Sequence, residues 1–212
     1  MPDVRSNAER VLRSNKVAVF IVAYNAEKHI QNVLRRIPDW VAESLQEIFV
    51  IDDSSKDNTQ EAAQEMAWGK TKAPLKIFRT PTNQGYGGNQ KIGYAYAIEK
   101  GFDIVILLHG DGQYAPESLP DILAAYDDGY DAVFGSRFIS PKGARSGGMP
   151  FYKWLGNRVL TKAQNSLLRS SMSEMHSGYR SYRTSCLKQI PFHCNSNDFH
   201  FDALSLVRTA WR

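Results

Sequence analysis

A cluster of polar residues with metal-binding chemistry follows a strongly apolar stretch near the middle of the chain. Residues 104–108 are all apolar and three of them are β-branched, a pattern that predicts a strand buried on both faces. Directly after it, His109, Asp111 and Gln113 alternate with two glycines. Mg²⁺ and Mn²⁺ prefer oxygen ligands and leave positions open for phosphate oxygens. We therefore predict a metal site at these three residues, with an ordinary strand-to-helix turn and a satisfied core histidine as the alternatives.

Two further polar pairs end apolar stretches of the chain. Tyr24 and Asn25 close the first stretch, and Asp52 and Asp53 close the second. Ligands bind beyond the carboxyl ends of parallel strands, so we expect these side chains to lie at the same edge as Asp111. Adjacent carboxylates accept hydrogen bonds from the N–H groups of a base and from ribose hydroxyls, as a nucleotide requires. The alternative is that the two aspartates cap the helix that follows.

A glycine-rich loop at residues 83–88 adds a feature suited to phosphate. Its glycines at positions 85, 87 and 88 allow backbone N–H groups to approach a phosphate closely. The loop lacks the Gly-Lys-Ser/Thr ending of a Walker loop, and no Gly-x-Gly-x-x-Gly follows the first apolar stretch. The sequence therefore counts against P-loop and dinucleotide-binding Rossmann proteins.

The elements that must position these residues alternate along the first 135 residues. Apolar runs predict strands over residues 16–23, 46–51, 75–79, 104–108 and 130–135. Helical patterns lie in the intervals between these runs. This alternation is typical of an α/β fold, with a mostly parallel central sheet and helices on both faces.

The second part of the chain differs in composition. Residues 136–212 carry 12 Lys and Arg against three Asp and Glu, in a chain whose net charge is +4. Such an excess suits nucleic acid, anionic lipid or a phosphorylated substrate. The pattern predicts a helix over residues 151–168, a short strand over 176–180 and a further helix from Asp198. Because the sequence ends inside that last pattern, we expect a chain cut short at its C-terminus.

Length and composition limit the class of protein. The 212 residues, 42% hydrophobic and 23% charged, suit one globular domain. No run approaches the roughly 18 apolar residues of a membrane span, and the first residues lack the apolar core of a signal peptide. Two cysteines, Cys186 and Cys194, do not suggest a disulfide framework. We therefore expect a cytoplasmic protein, either free or peripheral on the cytoplasmic face of a membrane.

Taken together in their order, these motifs resemble glycosyltransferase family 2, whose nucleotide-sugar-binding fold is called GT-A. The resemblance covers about residues 16–202. Within the family, the sequence is similar to the polyprenyl-phosphate sugar synthase branch, which includes dolichyl-phosphate mannose synthase. It rests on the runs at residues 22–27, 51–59, 83–85, 109–114, 135–138, 177–183 and 199–202. The resemblance implies a single GT-A domain over residues 1–212, with a nucleotide-sugar-binding half over 1–135 and a basic acceptor-side half over 136–212.

The resemblance also implies roles for individual residues. The nucleotide sugar would be held by Ala23, Tyr24, Asn25, Glu27, Asp52, Asp53, Gly85 and Asp111. The catalytic residues would be Asp111, which matches the last acid of the family's Asp-x-Asp motif, and Arg137, which would lie near phosphate groups. The acceptor side would carry Arg145, Arg158, Arg180 and Asp202. His109 stands where the family has the first acid of that motif, and Leu204 stands where it often has another acid.

The reaction implied by the resemblance moves a sugar from a nucleotide diphosphate sugar to an acceptor with inversion, assisted by Mg²⁺ or Mn²⁺. A polyprenyl phosphate is the first expectation for the acceptor, because it is already anionic and needs no general base. Aromatic residues beside the basic ones also suit peripheral membrane contact. A saccharide hydroxyl, with Asp198 or Asp202 as base, and an inactive nucleotide-sugar-binding module are the alternatives. No nucleic-acid partner is expected, and the sequence favours no oligomeric state.

Overall fold

A computed structural model describes residues 3–67, 71–139, 150–168, 170–175 and 177–202. The strands in this part of the chain are β1 (Val17–Ala23), β2 (Glu47–Asp52), β3 (Leu75–Arg79), β4 (Ile104–His109), β5 (Ala132–Phe134) and β6 (Arg180–Arg183). They form one sheet in the order β3-β2-β1-β4-β6-β5. The neighbouring strands β3, β2, β1 and β4 pair in parallel, and β6 runs antiparallel to both β4 and β5. The predicted mostly parallel α/β sheet is confirmed.

Helices cover the sheet on both faces. They are α1 (Val4–Ser14), α2 (Ile30–Arg35), α3 (Asp39–Ala42), α4 (Thr59–Ala67), α5 (Tyr86–Glu99), α6 (Leu119–Ala125), α7 (Phe151–Leu168) and α8 (Thr184–Leu187). Short 3₁₀ turns occur at residues 116–118, 126–128 and 192–194. None of the helices among the described residues is long and apolar enough to cross a membrane.

The central strands are buried on both sides because their alternate side chains enter two different apolar cores. In β1, Val19 and Ile21 join a core shared with α1, α2, α4 and α6. Phe20 faces the opposite core, which includes Tyr94 of α5 and Leu187 of α8. Burial of each such side chain contributes about 1.5–3 kcal/mol. The apolar runs that form β1, β2 and β4 thus correspond to strands with no exposed face, whereas the edge strand β3 is partly exposed.

The position of α5 over the sheet depends on one close approach. Gly93 lies against Phe20 of β1, and a Cβ at this glycine would overlap the Phe20 ring. The Phe20 ring in turn stacks on Phe49 of β2, with ring centres 4.9 Å apart. This packing sets the height of α5 over the sheet, and with it the position of the residues at the start of the helix.

Strand β6 is the main departure from the sequence prediction. A strand was expected over residues 176–180, whereas the observed strand spans Arg180–Arg183 between β4 and β5. The buried Ser181 side chain is satisfied within the protein, since its Oγ donates to the Val133 carbonyl at 2.8 Å. The helix predicted from Asp198 begins later than expected, since residues 198 and 199 form a bend and a turn and residues 200–202 are helical. The part of that prediction after residue 202 lies outside the described residues.

Candidate functional site

A cleft of about 720 Å³ opens at the carboxyl ends of β1, β2 and β4. Its volume is within the usual range for sites that bind small molecules. The predicted residues that line it are Ala23, Tyr24, Asp53, Gly85, His109, Asp111, Gln113 and Asp202. The cleft therefore gathers the ends of three strands with residues from α5 and from the C-terminal segment, as the parallel sheet predicts.

The two adjacent carboxylates after β2 have different surroundings. Asp53 lines the cleft, and its Oδ1 accepts a hydrogen bond from the backbone N–H of Gln84 at 2.8 Å. Asp52 is fully buried, where its Oδ1 accepts from the N–H of Ser55 at 3.2 Å and its Oδ2 lies 3.4 Å from Arg79 Nη1. Only Asp53 of the two lines the cleft, and the contact of Asp52 with the nucleotide stays a prediction.

Asn25 and Glu27 join the loop after β1 to the loop after β2. Asn25 has a φ of 49°, its N–H donates to Ser55 Oγ at 2.8 Å, and its Oδ1 accepts from the N–H of Lys56 at 2.9 Å. The Glu27 carboxylate accepts from the N–H and the Nδ2 of Asn58 at 3.2 and 3.1 Å. Neither side chain lines the cleft in the described structure. Both side chains therefore support the two loops, and their contact with a donor stays a prediction.

The turn after β4 places His109 and Asp111 in the cleft with different exposure. Asp111 is exposed, and its Oδ1 accepts from the N–H of Gln113 at 3.0 Å. His109 is more enclosed: its Nε2 lies 3.3 Å from Tyr86 Oη, and a Cβ at Gly178 would come within 2.7 Å of that nitrogen. Burial lowers the pKa of the His109 imidazole, although nearby carboxylates act in the opposite direction. The ring is therefore neutral near neutral pH.

The donor set at this turn fits a Mg²⁺ or Mn²⁺ ion that shares its ligands with a substrate. Mg²⁺ is commonly bound through one or two carboxylates together with substrate phosphates and water. Asp111 presents one exposed carboxylate, and Gln113 lines the same cleft. Within the described residues, no group of three or more His, Cys, Asp and Glu could hold a metal by itself. Asp111 is thus the principal candidate, and a metal contact by His109 stays a prediction.

The glycine-rich loop at residues 83–88 is closed by the C-terminal segment. The N–H groups of Gly87 and Gly88 donate to the carbonyl of Asn197 at 2.7 and 3.3 Å. Gly85 has a φ of 78°, and a Cβ there would lie 2.6 Å from the same carbonyl oxygen. The expectation that these two N–H groups approach a phosphate is therefore wrong, because Asn197 occupies them. Gly85 does line the cleft, and its contact with a donor stays a prediction.

Asp202 reaches the cleft from the C-terminal segment and is held by three side chains. Its Oδ2 accepts from Tyr86 Oη at 2.7 Å, and its Oδ1 accepts from Gln90 Nε2 at 3.1 Å. Arg180 Nε lies 3.5 Å from Oδ1, and Arg180 Nη1 donates to the Asp202 carbonyl at 2.9 Å. Burial and the Asp202 carboxylate raise the pKa of the Tyr86 phenol. The phenol thus stays protonated as a donor to Asp202.

Arg180 is buried beside Asp202 and does not line the cleft, and its place on the acceptor side stays a prediction. Its side chain is 1% exposed. Its Nε donates to the Ser177 carbonyl at 3.0 Å, and its guanidinium carbon lies 5.3 Å from the centre of the Phe134 ring. A buried charge requires a partner, and Asp202 supplies it. Arg180 therefore positions Asp202 and the chain around it.

Arg137 is held by a buried carboxylate that the sequence motifs do not indicate. Its N–H and Nε donate to Glu174 Oε2 and Oε1 at 2.8 and 3.0 Å, and its Nη2 also contacts Oε1. The Glu174 side chain is fully buried, whereas the Arg137 side chain is 40% exposed. Asn157 of α7 adds a hydrogen bond to Oε1 at 3.2 Å. Since Met175 lines the cleft, this pair borders the site.

Of the two remaining acceptor-side predictions, the structure describes only Arg158. Arg145 lies outside the described residues. Arg158 is exposed on α7, with its guanidinium carbon 4.9 Å from the centre of the Trp154 ring. Contact with an acceptor stays a prediction for both arginines.

Aromatic residues from distant parts of the chain complete the cleft without a strong signal in the sequence. Phe199 is 79% exposed, and its ring stacks on Tyr86 with centres 5.0 Å apart. Tyr114 lines the cleft and its Oη accepts from the N–H of Gly178 at 2.7 Å. The sequence motif at residues 199–202 includes Phe199, but the contact of Phe199 with Tyr86 of α5 depends on the tertiary fold.

Comparisons with known proteins agree with this arrangement. The family model for glycosyl transferase family 2 matches residues 18–190. An undecaprenyl-phosphate mannosyltransferase of Micrococcus luteus is 29% identical over 205 residues, covering 92% of this chain and 78% of that protein. A dolichol-phosphate mannosyltransferase of Pyrococcus furiosus is 32% identical over 140 residues, covering 66% of this chain and 38% of that protein. A polyprenol monophosphomannose synthase of Mycolicibacterium smegmatis is 28% identical, and the chain spans 65% of its length.

Solved structures show the same fold. Glucosyl-3-phosphoglycerate synthase of M. tuberculosis superimposes with a TM-score of 0.68 at 18% identity, covering 94% of this chain and 68% of that one. The same enzyme in complex with Mn²⁺, UDP and glucosyl-3-phosphoglycerate gives a TM-score of 0.68 at 16% identity, covering 95% of this chain and 67% of that one. At these identities the likeness shows the fold alone, and it confirms the predicted GT-A fold.

Proposed function

The chain belongs to glycosyl transferase family 2, and from that premise we propose that it transfers a sugar from a nucleotide diphosphate sugar to a polyprenyl phosphate. The observation that carries the proposal is the cleft, which holds Tyr24, Asp53 and Asp111 at one edge of the parallel sheet. This class of acceptor is supported by the relatives, whose names refer to undecaprenyl phosphate, dolichol phosphate and polyprenol.

The nucleotide end of the donor is assigned to the β1 and β2 side of the cleft. The Asp53 carboxylate is held in place by the Gln84 N–H and by Thr80 Oγ1, which donates at 3.0 Å. A carboxylate fixed in this way can accept from a base N–H or a ribose hydroxyl without further ordering. Tyr24 is 48% exposed beside it and offers an aromatic face to the base.

The diphosphate is assigned to the turn after β4. Asp111 would hold Mg²⁺ or Mn²⁺ there together with the donor, and the ion would neutralise charge on the departing diphosphate. The Gln113 N–H orients the Asp111 carboxylate from within the turn. His109, neutral and packed against Gly178 and Tyr86, supports the turn from inside the cleft. The Mn²⁺ complex of the structural neighbour supports this assignment.

The contacts of Asp202 favour a phosphate acceptor over a saccharide hydroxyl. A hydroxyl needs a general base, but both Asp202 oxygens already accept hydrogen bonds from Tyr86 and Gln90. Hydrogen bonds from Ser196 and His200 lower the pKa of Asp198 to about 2, which makes it a weak base at neutral pH. An anionic phosphate attacks the anomeric carbon directly, with inversion, and needs neither aspartate.

Arg137 is the proposed contact for the acceptor phosphate. Guanidinium pairs with phosphate through parallel hydrogen bonds, and the Arg137 side chain is 40% exposed while Glu174 fixes its position. Because a polyprenyl phosphate is held in a membrane, the proposal includes peripheral contact with the cytoplasmic face of that membrane. An acceptor outside the membrane would count against this part of the proposal.

A transfer assay tests the proposal. The protein is incubated with labelled UDP- or GDP-sugars, a polyprenyl phosphate and Mg²⁺ or Mn²⁺, and the labelled lipid is extracted and measured. Asp111→Asn should lower turnover by about 10²–10³, the usual cost of losing one group that stabilises developing charge. Unchanged turnover in Asp111→Asn would remove the metal assignment. Donor binding without transfer to any acceptor would support the inactive binding module instead.

A further inference from the structure

Helix α7 turns an apolar side toward the solvent. An ordinary surface helix directs its polar side outward and its apolar side inward. In α7 the exposed fractions are 59% for Phe151, 70% for Tyr152, 47% for Leu155, 59% for Val159, 55% for Leu160 and 78% for Leu167. We call these six residues the α7 outer face. An apolar patch of this extent on a folded domain marks a surface that contacts something other than water.

Polar contacts on the inner side of α7 fix the rotation of the helix. Asn157 donates to Glu174 Oε1 at 3.2 Å, and Thr161 Oγ1 donates to Asn157 Oδ1 at 3.1 Å. Asn165 both donates to the carbonyl and accepts from the N–H of Met172, at 2.8 and 3.0 Å. Residues 157, 161 and 165 follow one another at intervals of four, so they form one stripe along the helix. The outer face therefore cannot turn inward without breaking these hydrogen bonds.

The charge of α7 indicates what covers the outer face. The helix contains no Asp or Glu, and Arg158 and Lys162 are both exposed, one turn apart, along one edge of the face. An apolar face bordered by cations suits a surface of anionic lipid headgroups. A second copy of the chain in a two-fold dimer would bring the same cationic edge into the contact from both sides. The charges therefore favour lipid over self-association.

The α7 outer face is also connected to the cleft through the helix itself. Asn157 on the inner side holds Glu174, which in turn holds Arg137. Met175, the residue after Glu174, lines the cleft. The helix that carries the apolar face thus also fixes the residues beside the proposed acceptor phosphate.

We propose that the α7 outer face docks on the surface of an anionic lipid bilayer. Its apolar side chains enter the boundary between headgroups and acyl chains, and Arg158 and Lys162 lie at the level of the lipid phosphates. This inference rests on the proposed function and deepens it, because it names the surface through which a membrane-held polyprenyl phosphate is reached.

Vesicle flotation tests the docking surface. The protein is mixed with vesicles of phosphatidylcholine alone or of equal parts phosphatidylcholine and phosphatidylglycerol. Combined Tyr152→Ser, Leu155→Ser and Val159→Ser should lower binding to the mixed vesicles by at least about tenfold. The matched control combines Ile92→Ser and Tyr130→Ser, at side chains that are 41% and 57% exposed elsewhere on the surface, and should bind as the wild type does.

The charge contribution is tested by a second variant. Combined Arg158→Gln and Lys162→Gln should lower binding to the mixed vesicles by about 25-fold at low salt, since each cation near an anionic surface contributes about fivefold. Raising the salt concentration should reduce this difference, because surface electrostatics is screened. Equal binding of wild type and this variant at low salt would overturn the role given to the two cations.

Further outcomes separate this inference from the proposed function. The apolar triple variant should lose transfer to vesicle-held polyprenyl phosphate and keep transfer to a short-chain, water-soluble analogue. Equal vesicle binding by the triple variant and its control would overturn the docking surface while leaving transfer intact. A wild-type dimer in sedimentation that the triple variant converts to monomer would also overturn it, since a second copy would then cover the face. Vesicle binding without transfer by the wild type would count against the proposed function alone.

Discussion

The pairing of Arg137 with Glu174 allows a prediction with a worked magnitude. Glu174→Gln keeps the size of a fully buried side chain and removes its charge. The carboxylate accepts from the N–H, Nε and Nη2 of Arg137 and from Asn157. Hydrogen bonds to a charged group contribute about 1.5–3 kcal/mol, but Arg137 is 40% exposed and glutamine keeps one acceptor. We therefore expect a loss of about 2 kcal/mol in the free energy of unfolding, or about 4–8 °C in Tm.

A matched surface pair provides the control. Glu117 accepts from Arg36 Nε and Nη2 at 2.7 and 2.9 Å, but its side chain is 53% exposed. Glu117→Gln should cost less than about 1 kcal/mol, because exposed ion pairs contribute little. Urea unfolding and thermal unfolding of both variants give the two values under the same conditions.

Steady-state kinetics separates a positioning role from a purely structural one. Freed from Glu174, Arg137 loses its fixed direction, so Glu174→Gln should raise the KM for polyprenyl phosphate while the KM for the nucleotide sugar stays the same. The reasoning is refuted if Glu174→Gln is no more destabilising than Glu117→Gln. A rise of both KM values together would also refute it, because the effect would then be general to the cleft.

Two further variants test the packing and the buried charge below the cleft. Gly93→Ala should lower the free energy of unfolding by about 1–3 kcal/mol, because its new Cβ would overlap Phe20. The control is Gly156→Ala in helix α7, where a Cβ meets nothing within 4 Å, and it should raise the free energy of unfolding by about 0.5–1 kcal/mol. Equal urea midpoints for the two variants would contradict this. Arg180→Gln should cost about 3–5 kcal/mol, because it leaves the carboxylate of Asp202 without its buried cation; a loss below about 1 kcal/mol in urea unfolding would show that the pair is not essential.

The edge of the sheet that carries the cleft was predictable from the sequence. Apolar runs without polar alternation predicted strands buried on both faces, and alternation with helices made them parallel. The polar residues directly after those runs, among them Tyr24, Asp53 and Asp111, therefore had to meet at one edge. The structure places all three in the cleft lining.

The direction of individual side chains was not predictable in the same way. Consecutive residues of a strand point to opposite sides, and whether Asp52 or Asp53 faces a ligand depends on Ser55 and Arg79, which surround the former. A local pattern does not contain that information.

Long-range partners account for the remaining differences. Arg180 was predicted on the acceptor side because guanidinium pairs with phosphate, but in the structure Asp202 neutralises it in the interior. The glycine-rich loop looked open because the sequence does not show that the Asn197 carbonyl accepts its N–H groups. Both contacts join residues brought together only when the C-terminal segment folds over α5.

The central claim is that the cleft binds a nucleotide diphosphate sugar, and donor binding tests it most directly. Thermal unfolding is followed with a panel of UDP- and GDP-sugars, with and without Mg²⁺ or Mn²⁺. At a hundredfold excess over Kd, a true donor should stabilise the protein by about 2.7 kcal/mol, or about 5–11 °C in Tm. Asp53→Ala should remove this shift and Glu117→Gln should keep it. A Tm that no nucleotide sugar changes, with or without metal, would contradict the account.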